Sequence, residues 1–167
     1  MKELKKYSWI GIIFVWIVGT IWHFVYEWSG SQFIVGLFFP VSESVWEHMK
    51  LIFFPMLLYS FYMEWKLKDT FPCIGSSLMA GILSGTCLIP VFFYTYSGVL
   101  GTNYMTLDIA AFLGSVAGAF FVTYRLTQSG KTVVPEGGWR IFVGALAVCF
   151  LLFTYQQPDL GIFICPE

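Results

Sequence analysis

Five apolar segments, each about as long as a membrane-crossing helix, constrain this chain more than any other feature of its sequence. A helix needs about 20 predominantly apolar residues to cross the hydrocarbon core of a bilayer. The segments cover residues 7–27, 44–65, 73–97, 105–126 and 138–156. We therefore predict an all-α membrane protein, with residues 1–167 forming a single domain of five transmembrane helices.

The charge content supports a membrane location and limits the classes of partner. Charged residues make up 11% of the chain, whereas a soluble domain carries about 25%. Membrane lipids are therefore the expected surroundings. The net charge of −1 argues against a nucleic-acid partner. Neither a G-x-G-x-x-G fingerprint nor a P-loop is present, so no nucleotide is expected.

The N-terminal segment and the cysteines bear on processing and on disulfides. The N-terminus begins like a signal peptide, but its apolar run is too long and has no small-residue cleavage site, so it is expected to remain as an anchor. The cysteines Cys73, Cys87, Cys149 and Cys165 show no close spacing. Neither a structural zinc site nor a disulfide framework is expected from them.

Shorter patterns indicate how the helices connect and pack. SQFIVGLFFP, at residues 31–40, is apolar but too short to cross, so it is expected to lie in the interface or to re-enter the membrane. Small residues recur at intervals of four, which favours close approach of two helices. They are Ser77, Gly81 and Gly85 in one segment and Gly114 and Gly118 in the next.

Basic residues predict the orientation, because cytoplasmic loops carry an excess of Lys and Arg. With five alternating spans, eight of the nine basic residues fall on one side and only Lys50 on the other. The eight are Lys2, Lys5, Lys6, Lys66, Lys68, Arg125, Lys131 and Arg140. The N-terminus is predicted to lie inside and the C-terminal tail outside.

Ionisable residues gather near the predicted outer ends of three helices. They are His23, Glu27, Glu43, Glu47, His48 and Asp108, with Ser44 among them. Ionisable groups within spans are costly to bury and by default indicate a functional site. Both histidines of the chain belong to this group, so we predict that the chemistry of the protein lies here.

A divalent metal ion is the predicted cofactor, and the ligand types favour zinc. The predicted ligands are His23, Glu27, His48 and Asp108, since two imidazoles with carboxylates suit zinc, and also iron or manganese. Glu47 is the predicted general base, and Ser44 is predicted to position the attacking water. The function that follows is a metal-dependent hydrolase of a lipid or peptide at the outer leaflet.

Structural explanations of the same residues remain open. Ser44 and Glu47 fit a capping box at a helix start, with Lys50 neutralising Glu47. His23 and Glu27 fit a hydrogen-bonded pair at headgroup level, and Asp108 fits a first-turn acid. A non-enzymatic membrane protein (a sensor, an assembly partner or a resistance factor) is therefore an alternative.

Two other functions fit the same side chains. Acidic residues within spans also suit a proton- or cation-coupled carrier, which with five helices is expected to form a homo-oligomer. His23 and His48, on antiparallel helices, also fit a haem ligated between them.

Two stretches, HFVYEWSG and PVSESVWEHMKLIFFP, resemble a family of small multi-span proteins of Gram-positive bacteria that is known only as a domain of unknown function. The resemblance covers most of the chain, including the tail FTYQQPDLGIFICPE. It implies a bacterial plasma membrane and no particular activity. The chain has Ser42 where the family has Asn, and Cys165 and Pro166 where the family often has Asp-Pro.

The spacing of Ser44 and His48 is also similar to the S-x-x-x-H element of membrane hydrolases that include the alkaline ceramidases. Those enzymes need an Asp on another helix, for which Asp108 is the counterpart. They also need a later H-x-x-x-H, which this chain lacks, since no histidine follows His48. The similarity is therefore one of pattern only.

Overall fold

The computed structural model describes residues 1–130 and 136–166, which form six α-helices and one 3-10 turn. The helices are α1 (Lys2–Trp28), α2 (Phe33–Phe38), α3 (Val45–Leu67), α4 (Ile74–Leu100), α5 (Met105–Ser129) and α6 (Glu136–Phe153), and the turn is Gly161–Phe163. The five long helices coincide with the five predicted segments, so the predicted all-α fold is confirmed.

Three of these helices, α1, α4 and α5, are long and apolar enough to cross a membrane. The apolar part of α6, Gly137–Phe153, is shorter. In contrast, α3 contains Glu47 and Lys50 near its start and Glu64 near its end. It packs against α1, α4 and α5 at the centre of the bundle. Because neighbouring helices surround α3, its charged side chains need protein partners and not lipid contact.

Consecutive long helices run antiparallel. The Tyr59 hydroxyl on α3 donates to the carbonyl oxygen of Tyr7 near the start of α1, at 2.7 Å. The Cys73 thiol at the start of α4 lies 3.7 Å from the carbonyl oxygen of Thr127 near the end of α5. The start of α1 and the end of α3 therefore lie at the same end of the bundle. Lys131, one of the predicted cytoplasmic residues, lies outside the described residues.

The short segment before α3 forms α2, which is tied to its neighbours by three backbone carbonyls. The Trp22 indole N–H donates to Phe38 at 3.0 Å, and the Tyr155 hydroxyl donates to Phe33 at 3.0 Å. The third carbonyl, that of Gly36, accepts from the side chain of Lys50 at 3.1 Å. α2 is therefore anchored to α1, α3 and α6 at one end of the bundle.

The predicted small-residue contact is confirmed between α4 and α5. A Cβ atom on Gly81 would lie 2.7 Å from the carbonyl oxygen of Ala119 and closer still to the Thr123 hydroxyl. A Cβ atom on Gly85 would lie 2.5 Å from the Cβ of Ala119. Glycine at these positions allows the two backbones to approach closely, which is a main source of helix association where lipid replaces water.

We expect the Gly81→Ala variant to lose stability. The added methyl group clashes with a backbone oxygen that cannot move alone, and overpacking of this kind costs about 1–3 kcal/mol. The matched control is Gly144→Ala on α6, where a Cβ atom would meet nothing within 4 Å. Helix propensity alone should make that control equal to or more stable than the wild type. Thermal unfolding in detergent, followed by circular dichroism, compares the two. Equal midpoints in both variants would contradict the close packing of α4 and α5.

Candidate metal centre

Two histidines and one glutamate meet at the end of the bundle that holds α2. His23 lies near the end of α1, Glu43 in the connection before α3, and His48 in the first turns of α3. The Nε2 atoms of His23 and His48 lie 3.5 and 3.4 Å from the same carboxylate oxygen, Oε2 of Glu43. One potential ligand atom from each residue lies within 4.8 Å of the other two.

These separations match the edges of a metal coordination sphere. Zinc binds nitrogen and oxygen ligands at about 2.0–2.1 Å in a tetrahedron, whose edges are then roughly 3.3–3.4 Å long. The distances of 3.4 and 3.5 Å from Glu43 to the two imidazoles are close to that edge length. The three side chains could therefore hold an ion such as zinc with little movement, and a fourth position would remain for water or substrate.

The tautomer of His48 is fixed by its backbone. Its Nδ1 lies 3.0 Å from the carbonyl oxygen of Ser44. A carbonyl only accepts, so Nδ1 must carry the hydrogen. The Nε2 atom of a neutral His48 is then an acceptor, and it lies 3.4 Å from an oxygen of the Glu43 carboxylate, which is also an acceptor. Such a contact is favourable only if a proton or a cation lies between the two atoms. Orienting hydrogen bonds of this kind are typical of metal-binding histidines.

Glu43 is the most exposed member of the cluster. Its side chain is 67% exposed, while those of His23 and His48 are 29% and 27% exposed. Ion pairs at that exposure contribute about 0–1 kcal/mol. The geometry of the three groups, and not the strength of their ion pairs, therefore makes them a candidate ligand set.

The three residues face a cavity of about 600 Å³ between α1, α3, α4 and α5. Asn103 and Asp108 add polar groups to its wall, and most other lining residues are apolar. Ligand sites in proteins are generally apolar clefts of about this size with a few convergent polar groups. The cavity is therefore a candidate binding site for a molecule that reaches the three residues.

The sequence comparisons place the chain in a family. The sequence profile of DUF6512, described as a family of unknown function, matches residues 1–165. The chain belongs to the DUF6512 family. No curated protein and no solved structure matches it. The resemblance to an uncharacterised family is thus confirmed, and membership assigns no activity to the residues of the cavity.

Asp108, predicted as a metal ligand, lies on the wall of the cavity at the start of α5. Its carboxylate accepts a short hydrogen bond from the hydroxyl of Tyr96, near the end of α4. It does not belong to the cluster of His23, Glu43 and His48. Asp108 and the cluster thus line the same cavity, so the carboxylate is a candidate to exchange a proton with a ligand bound there.

Glu47, predicted as general base, is fully buried in an ion pair with Lys50. Its Oε2 accepts from the Lys50 ammonium at 2.8 Å and from the backbone N–H of Val41 at 3.0 Å. Lys50 also donates to the hydroxyl of Thr154, the residue after α6, at 2.6 Å. The predicted neutralisation of Glu47 by Lys50 is confirmed. Glu47 is not among the residues that line the cavity.

Ser44, predicted to position water, is buried and caps α3. Its hydroxyl accepts from the backbone N–H of Glu47 at 3.3 Å. A reciprocal capping box would bring the Glu47 side chain back to the N–H of Ser44, but that carboxylate bonds to Val41 instead. The predicted cap by Ser44 is therefore confirmed, and the predicted return bond from Glu47 is wrong.

The remaining differences concern Glu27 and Glu43. Glu27, predicted as a ligand, is exposed and lies outside the cluster of His23, Glu43 and His48. Sequence reasoning did not select Glu43 as a ligand, because it resembled a first-turn acid. It precedes the N-cap residue Ser44, so helical spacing does not determine its direction. No sequence pattern pointed to the lining residue Asn103.

Proposed function

We propose that this DUF6512 member is a metal-dependent membrane hydrolase of a lipid or peptide, with the metal held by His23, Glu43 and His48. One observation carries the proposal. His48 has its Nδ1 at a backbone carbonyl and its Nε2 3.4 Å from the Glu43 carboxylate, and a cation between these two groups would make that contact favourable. His23 lies at the same distance from the carboxylate and completes a three-residue ligand set of the kind found in catalytic zinc sites.

A divalent cation in this position would polarise a substrate carbonyl and make a bound water more acidic. The chain's own groups supply the remaining steps. Asp108 accepts a proton from the water, whose oxygen forms a bond to the carbonyl carbon. The bond from that carbon to the leaving oxygen or nitrogen then breaks, and Asp108 returns the proton to the leaving group. Tyr96 orients the Asp108 carboxylate. The products are an acid and an alcohol or amine.

Three residues have roles here that differ from the sequence-based prediction. Glu43 takes the ligand position predicted for Glu27, and Asp108 takes the base role predicted for Glu47. Ser44 acts as a helix cap, which leaves its hydroxyl occupied by the N–H of Glu47. The proposed topology keeps five spans with the N-terminus inside. The lysines at the start of α1 and at the end of α3 are at the opposite end from the cavity, which supports that orientation.

The Asp108→Asn variant tests the catalytic step separately from metal binding. We expect it to retain the metal content of the wild type, measured by mass spectrometry on untagged protein reconstituted with zinc. We expect its hydrolysis rate on ester and amide substrates to fall about 100-fold or more, since general base catalysis contributes about 10²–10⁴-fold. Hydrolysis at the wild-type rate in Asp108→Asn would remove Asp108 from the mechanism.

The non-enzymatic alternative is supported by the buried pair of Glu47 and Lys50, which shows that part of the polar group is structural. In that case His23, Glu43 and His48 would bind a cation without turnover, or bind none. A wild-type protein that lacks both metal and hydrolysis after reconstitution would favour this alternative over the hydrolase.

A further inference from the structure

We infer that the substrate is an uncharged lipid with an ester or amide carbonyl, which enters the cavity from the bilayer through a gap between α1 and α5. This inference rests on the proposed function and names its substrate class. It excludes the other proposed class, a peptide, which would have to enter from water.

The inner wall of the cavity suits an acyl chain. It is formed by apolar side chains from α3, α4 and α5, among them Leu51, Ile89, Phe93 and Phe112. An extended peptide presents a donor and an acceptor at every residue, and each one costs free energy if it is buried without a partner. The wall offers few groups to satisfy them, whereas a hydrocarbon chain needs none.

The mouth of the cavity lies between two helices that are apolar enough to face lipid. Thr20 and Phe24 on α1 and Met105 and Ile109 on α5 all line the cavity and are all exposed. Both helices qualify as membrane spans. Lining residues that are exposed on both helices mean that the cavity opens sideways, between α1 and α5.

On the side away from the histidines, the gap ends at a hydrogen bond between α1 and α5. The Trp16 indole N–H on α1 donates to the carbonyl oxygen of Leu113 on α5 at 3.3 Å. This bond joins the helices about one turn beyond Thr20, on the side away from the histidines. A lipid that enters on the histidine side of this bond would have its polar end beside His23 and its chain along the apolar wall.

The charge of the cavity selects the head of the lipid. Its ionisable lining groups are His23, Glu43, His48 and Asp108, and no Lys or Arg occurs among the described residues that line it. Phosphate is generally recognised by Arg, Lys or clustered backbone N–H groups. Glu43 and Asp108 would offset the two charges of a bound divalent cation, so the site would have no net positive charge to attract an anionic head. A neutral carbonyl group beside a metal ion is therefore the favoured reacting group.

The Thr20→Trp variant tests the entrance, because a bulky indole at the mouth should block the gap. Ile17→Trp is the control, since Ile17 is exposed on α1 but does not line the cavity. The probe is a monoacylglycerol with a diazirine in its acyl chain, in phosphatidylcholine nanodiscs. After irradiation, peptide mass spectrometry locates the label. We expect label on α4 and α5 at the cavity wall, reduced about tenfold in Thr20→Trp and unchanged in Ile17→Trp.

Competition and metal content separate the two proposals. Excess unlabelled monoacylglycerol should abolish the labelling, whereas excess lysophosphatidylglycerol should leave it in place. Equal labelling in both tryptophan variants, label away from the cavity, or competition by the anionic lipid would each overturn the lipid inference. Metal content is measured on the same samples. A normal metal content with misplaced label would leave the metal-dependent function standing and reject only the substrate class.

Discussion

Replacing Lys50 with Met is expected to destabilise the protein by about 3–5 kcal/mol, because it leaves the buried carboxylate of Glu47 without its cation. Both side chains are 0% exposed, and the other carboxylate oxygen of Glu47, Oε1, has no hydrogen-bond partner among the described residues. The substitution also removes the bonds from Lys50 to Gly36 on α2 and to Thr154, the residue after α6. The loss should therefore loosen α2 and α6 together.

Unfolding in detergent, monitored by circular dichroism, measures this effect. Lys68→Met, which removes an exposed lysine just after α3, is the control and should change stability by less than about 0.5 kcal/mol. The double variant Glu47→Leu with Lys50→Met removes both charges and should regain most of the lost stability. A double variant no more stable than Lys50→Met alone would show that the backbone bonds of the pair, and not the unpaired charge, determine the stability.

Replacing His48 with Ala is expected to weaken zinc binding by at least about 100-fold, since loss of an orienting partner alone costs about 10–100-fold. His23→Ala should have a similar effect, because the two imidazoles face the same oxygen of Glu43. Titration with zinc against a competing chelator measures the affinity in each variant.

The control for the histidine variants is Glu27→Gln. Glu27 was predicted as a ligand and lies on the same helix as His23, but outside the cluster. Its substitution should leave the zinc affinity within about twofold of the wild type, because a ligand set of His23, Glu43 and His48 does not use it. A loss of affinity in Glu27→Gln equal to that in His48→Ala would instead support the ligand set predicted from the sequence.

The buried pair of Glu47 and Lys50 is linked to the cluster of His23, Glu43 and His48 through the connection between α2 and α3. Glu47 accepts a bond from the backbone N–H of Val41, two residues before Glu43. Through this bond the buried pair helps to hold the segment that carries Glu43. We therefore expect Lys50→Met to lower the zinc affinity as well as the stability, although Lys50 does not line the cavity.

The sequence alone determined the helices and the end of the bundle where the ionisable residues meet. Backbone groups in lipid must be satisfied within each segment, so long apolar runs leave few alternatives to helices. Because neighbouring spans run in opposite directions, the end of α1 and the start of α3 then lie on the same side of the membrane. For that reason His23 and His48 could be paired in advance, and the structure brings their rings to 5.4 Å between centroids.

Only the tertiary structure decided which carboxylate joins them and which is buried elsewhere. Glu43 precedes the helix, so its direction depends on how α2 and its neighbours guide the chain. Glu47 and His48 are adjacent on α3, and a rotation of about 100° separates an ion pair in the core from a side chain at the cavity. The apolar residues of α3 are distributed around the helix, so no single apolar stripe fixes its rotation. That rotation was set by the packing of α1, α4 and α6 around it.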